Sequence, residues 1–177
     1  EGISAAEKAI ELFTGFEHRP DYPDCIPEDL VYEYDGGSVS TSVQAHLTKA
    51  GLYAQADRRD EADMAYEEAI ARAGELSISG NYLTLALTKA GEHHMLYNNQ
   101  KALEYLNKAV ELYECSGISL DETVEEGNLW FLKLKDTIAT VHEMQGDEDR
   151  SKALREELGP YEEYITWRVT GNIHELA

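Results

Sequence analysis

Leu47-Thr48-Lys49-Ala50-Gly51 returns forty residues later as Leu87-Thr88-Lys89-Ala90-Gly91. The same shift places Ala62 on Ala102, Ala69 on Ala109 and Ile78-Ser79 on Ile118-Ser119, so a whole unit repeats and not one helix. Each unit reads as two helices. In the first unit, Val43, Leu47, Ala50 and Ala54 make one apolar face at the 3.6-residue period, and Ala62, Tyr66, Ala69, Ile70 and Ala73 make another. Asp57-Arg58-Arg59-Asp60 is the polar turn between them. Leu83, Leu87 and Ala90, then Ala102, Leu106, Ala109, Val110 and Tyr113, repeat the pattern around Asn98-Asn99.

Outward from these units the pattern weakens. A shift of 51 places Leu134, Ile138 and Val141 on Leu83, Leu87 and Ala90, and Ala153 on Ala102, with eleven extra residues around Asp121–Gly127. Gly159-Pro160 ends that unit, because proline cannot continue a helix begun upstream. Residues 161–177 are expected to supply a capping helix over the open end, built on Tyr164, Ile165 and Trp167. At the other terminus, Glu7–Phe13 matches Asn107–Tyr113, the second helix of a unit whose first helix is missing. The chain therefore reads as excised from a longer protein or trimmed, by processing or by design. The expected organisation is a lone second helix over 1–16, a proline-rich linker or ordered loop over 17–37, helix pairs over 38–79 and 80–119, and a degenerate pair over 120–160.

Composition narrows the functional classes. Thirty-five acidic against fifteen basic residues in 177 give a net charge of -20, the wrong sign for gripping a phosphate backbone, so nucleic acid is disfavoured. No stretch approaches the roughly 20 apolar residues of a membrane span, so no membrane insertion is expected. Two cysteines, Cys25 and Cys115, allow neither a disulfide framework nor a thiolate zinc site. The charge is uneven: residues 1–35 and 121–177 each carry -8, and residues 36–120 only -4. Solvation is the commoner reason for such acidic flanks, and a basic partner surface is the other.

These residues resemble the tetratricopeptide repeat family in its longer-period form of about 40 residues. The family's small first-helix residue falls on Ala50 and Ala90, its aromatic on Tyr53, its second-helix alanines on Ala62 and Ala102, then Ala69 and Ala109, and its large residue on Tyr66 and Leu106. The likeness covers residues 38–116 well and 128–160 weakly. Departures are Lys49 and Lys89 at the family's leucine, Asp57 and Tyr97 at its turn glycine, His93 at its second aromatic, and an absent final proline. The resemblance implies an all-α, right-handed superhelical solenoid of helix pairs. It also implies that the first helices line a concave face holding a protein or peptide segment, and that catalysis is not the task. The alternative, an ordinary helical bundle, leaves the five-residue identity unexplained.

Candidate sites follow from this. Gln44, Thr48, Gly51 and Gln55, with Thr84, Thr88, Gly91 and Met95, form a stripe beside the apolar face at near i,i+4 spacing, and these are the expected partner-binding residues. The bland reading is that several of them pack against the neighbouring pair. Adjacent His93 and His94 point about 100° apart on a helix and cannot easily share a metal as an i,i+4 pair would, so packing is the simpler role there and at His142. Asp147-Glu148-Asp149 lacks the alternating calcium-loop ligands and sits where a helix begins, where acids suit the helix dipole. Some tetratricopeptide modules clamp acidic C-termini with Lys and Asn. Lys49 and Lys89 fall on a position the family buries, with no matching Asn, and the negative charge would repel an acidic tail. No phosphate loop or nucleophile motif occurs.

The resulting expectation is a non-enzymatic scaffold with no cofactor and no metal, binding a protein segment that the acidic flanks favour being basic. An accessory structural subunit of a larger assembly, or a sensor domain of a signalling or transcription protein, are the alternatives.

Overall fold

The computed structural model describes residues 2–18, 32–34, 37–39, 41–76, 81–117, 119–121 and 129–162. Helices α1 (Gly2–Glu17), α2 (Ser42–Gln55), α3 (Arg59–Glu75), α4 (Asn81–His94), α5 (Asn99–Cys115), α6 (Trp130–Met144) and α7 (Glu148–Leu158) dominate, followed by a 3-10 turn at Gly159–Tyr161. The class is all-α. One departure from the purely helical expectation is a short antiparallel hairpin, β1 (Tyr32–Tyr34) with β2 (Gly37–Val39), in which Tyr32 faces Val39. β1 lies where a linker or loop was expected, whereas β2 runs past residue 38, the expected start of the first helix pair, and α2 begins only at Ser42. Most of the capping segment 161–177 and of the extra residues near Asp121–Gly127 lie outside the described residues. Among the described residues no helix is long and apolar enough to cross a membrane.

Packing divides the chain into two units, Glu1–Ala90 and Gly91–Ala177, with the division inside α4. In the first unit α1 lies on α2, where Phe13 and Ala45 are buried among Ala9, Ile10 and Phe16. Behind them, Val43, Ala69, Ala73 and Ala86 form a core with Leu47, Ile70, Leu76, Tyr82 and Leu83 around it. The alanines let helices α2, α3 and α4 approach closely. In the second unit α5 packs on α6, with Tyr113 stacked on Phe131 at 4.8 Å, and α6 packs on α7. Leu132, Leu134, Ala139, Val141 and Leu158 complete that interior.

The first and third helix pairs share a turn, and its contrast with the middle one fixes the register. The N–H groups of Arg58 and Asp147 donate to the carbonyls of Tyr53 and His142, five residues back, each at 2.9 Å. Asp57 and Gly146 sit in the left-handed region just before them, at φ 54° and 76°. The Asn98 N–H instead reaches only four residues back, to His94 at 2.7 Å. The middle turn is thus one residue shorter, and its first helix is rotated by one residue against the sequence identity. Burial agrees: Ala50, Gly91 and Ala139 occupy equivalent buried places, as do Ala45, Ala86 and Leu134. Gly51 and Gly91, identical in sequence context, are not equivalent. A methyl group on Gly51 would meet nothing within 4 Å, whereas on Gly91 it would lie 2.6 Å from Leu106 Cγ.

The third pair is corrected as well. Ala153, aligned by sequence on Ala102, is exposed; Ser151 is buried and takes the place of Ala62 and Ala102, while Leu158 takes that of Ala69 and Ala109. The N-caps say the same, since Asn98 and Asp147 each accept the backbone N–H three residues on. Asp147-Glu148-Asp149 is therefore a helix start, with Glu148 and Asp149 in the first turn of α7.

Candidate partner-binding face

The expected stripe divides in two. On α2, Gln44, Thr48 and Gly51 are half-buried and Gln55 is exposed. On α4, Thr84 and Thr88 are only 6% and 5% exposed and Gly91 is buried, while Met95, in the turn just past the helix, is half-buried. Thr84, Thr88 and Gly91 are interior residues because of the one-residue rotation of α4. The Thr88 hydroxyl donates to the Thr84 carbonyl at 2.8 Å and Gly91 packs on Leu106, so neither offers a surface to a partner.

The corrected register identifies what stands in their place. Leu85, Lys89, Glu92 and Leu96 on α4 and its turn show the same graded exposure as Gln44, Thr48, Gly51 and Gln55. Lys133, Thr137, Thr140 and Met144 on α6 do so again. Three successive half-buried positions are followed by an exposed one at the helix end, with Leu96 82% and Met144 54% exposed. The threonine hydroxyls are turned back on their own helices. Thr48 donates to the Gln44 carbonyl at 2.9 Å, Thr137 to Lys133 at 2.8 Å and Thr140 to Asp136 at 3.0 Å. Such bonding commits the hydroxyl proton to the helix.

In the second unit the stripe carries charge and an aromatic ring. Lys133 Nζ lies 2.8 Å from Glu92 Oε1 and 5.2 Å from the centre of the Trp130 ring, which is 41% exposed. Beside it, Arg155 of α7 reaches Asp136 at 3.0 Å and Glu143 at 3.1 Å. None of the Glu92, Trp130 and Lys133 trio was singled out from sequence. The signal existed, because aligning Asn98 with Asp147 as helix starts would have brought Lys133 onto the Gln44 position.

The other candidates resolve into packing. Lys49 donates to Glu68 of α3 at 2.7 Å, which holds the Glu68 carboxyl below its ordinary range. His94 stacks on Tyr105 at 5.5 Å and meets Tyr97 edge-on, while His93 and His142 are also buried. Among the described residues no three His, Cys, Asp or Glu side chains gather as a metal site would need. Comparison with protein-family models, with curated proteins and with solved structures finds no match.

One histidine of this region has a testable pH signature. His46 Nδ1 lies 3.3 Å from Glu68, whose carboxylate favours the charged imidazole but is outweighed. Burial first, and then the Lys49 ammonium, lower its pKa below 6.5. The unfolded chain therefore takes up this proton at higher pH than the fold does. Stability should fall as pH drops below about 6.5 toward the folded value, with a limiting slope near 1.4 kcal/mol per pH unit. His46→Gln should flatten that part of the decline in urea titrations run between about pH 5 and 7. Identical slopes for both proteins would contradict the assignment.

Proposed function

We propose that the chain is a tetratricopeptide-like array of helix pairs acting as a non-enzymatic scaffold, which holds a segment of another protein on the concave face lined by its first helices. The observation that carries this reading is the recurrence of one graded exposure pattern on α2, α4 and α6. A packing role explains the buried columns, but it leaves unexplained why the same four places stay accessible in every pair. Their chemistry, amide, thioether, threonine and aliphatic with Lys89, Glu92 and Lys133 as the charged members, suits a polypeptide better than a small ion.

Leu96 and Met64 provide the test, since both are largely exposed and only Leu96 belongs to the stripe. Segments selected from a displayed peptide library against the parent protein should lose roughly tenfold or more in affinity on Leu96→Glu and stay within about twofold on Met64→Glu. Equal losses, or no selectable segment, would remove the reading.

A further inference from the structure

We infer that Glu92 and Trp130 form a subsite for an arginine side chain of a basic partner segment, and that Lys133 occupies it in the free protein as an internal stand-in. This deepens the scaffold reading and rests on it. A cation between a carboxylate and an indole face is the arrangement such a subsite would make with its ligand. Lys133 supplies that cation from within the chain, 2.8 Å from Glu92 Oε1 and 5.2 Å from the Trp130 ring centre.

Lys133 is replaceable. Its side chain is 35% exposed and that of Glu92 24%, and ion pairs or cation–π contacts at such exposure are weak. The four-carbon stem can turn into solvent without disturbing α6, whose packing rests on Phe131, Leu132 and Leu134. An incoming guanidinium gains more than the ammonium it displaces, because its plane stacks on indole and its paired N–H groups match a carboxylate. Charge complementarity selects the occupant. The chain carries -20, and residues 121–177 alone carry -8, so a basic segment is drawn in and an acidic one repelled.

The probe is a short, otherwise neutral peptide carrying one arginine, with its Arg→Gln twin as control. Binding is followed by the fluorescence of Trp130 after Trp167→Phe leaves it the sole tryptophan. Lys133→Met removes the competing ammonium and keeps the stem, so it should tighten the arginine peptide roughly tenfold. Lys135→Met makes the same charge change at a residue paired with Glu157, and should leave affinity within about twofold. Glu92→Gln should abolish the distinction between the arginine peptide and its twin. Lys133→Met binding no tighter than Lys135→Met, or the twin binding equally well, would overturn the subsite. That failure is separable from failure of the scaffold reading: segments that still depend on Leu96 would leave the scaffold standing without an arginine subsite.

Discussion

Replacing Glu17 with alanine should cost about 3 kcal/mol of folding stability, the low end of what breaking a buried charge pair costs. The Glu17 side chain is 0% exposed although it ends α1. One carboxylate oxygen accepts the Ser42 N–H at 2.7 Å; the other accepts the Ser42 hydroxyl at 2.5 Å and Arg72 Nη2 at 2.7 Å. It therefore stands at the start of α2, where the helix dipole favours an anion, and joins α1, α2 and α3 at one point. Arg72 is 17% exposed and keeps Glu75 at 2.8 Å and the Ser42 hydroxyl at 3.0 Å, which is why the low end applies. Its pKa is lowered by burial but raised further by the Glu17 and Glu75 carboxylates, leaving it above the ordinary arginine value, the direction a favourable pair requires. Urea titration of Glu17→Ala, Arg72→Ala and the double variant measures the coupling. A double variant costing the sum of the two singles would mean that Glu17 and Arg72 do not act together.

That junction was illegible in the sequence for a physical reason. Glu17 meets Ser42 across 25 residues and Arg72 across 55, and nothing local announces either contact. The apolar faces were legible because helical periodicity is local: Ala62, Ala69, Ala102 and Ala109 are all fully buried, and the second helices α3 and α5 keep the forty-residue spacing between them. The first helices did not keep it. A single residue missing from the turn at Met95–Asn98 rotates α4 by about 100°, which carries Thr84, Thr88 and Gly91 from the expected surface into the interior. In the third pair Ser151 replaces the alanine, so identity pointed two residues too far, to Ala153. Gln44, Thr48, Gly51 and Gln55 stayed accessible because they lie in the pair from which the register was read.

The identical pentapeptides make that rotation measurable. Gly51→Ala should stabilise the protein by up to about 1 kcal/mol, since alanine is the better helix former and the new methyl meets nothing within 4 Å. Gly91→Ala should destabilise it by about 1–2 kcal/mol, despite the same gain in helix propensity. Its methyl would stand 2.6 Å from Leu106 Cγ, 2.7 Å from Leu106 Cδ2 and 3.3 Å from the Ala102 carbonyl oxygen. Leu106 is fully buried and cannot swing into solvent, and the Ala102 carbonyl belongs to the backbone of α5, so relief requires α4 and α5 to separate. Urea midpoints of the two single variants decide the matter. Opposite signs follow only if Ala50, and not Gly51, shares the place of Gly91; the same sign in both would restore the forty-residue register to the first helices and return Thr84 and Thr88 to the surface stripe.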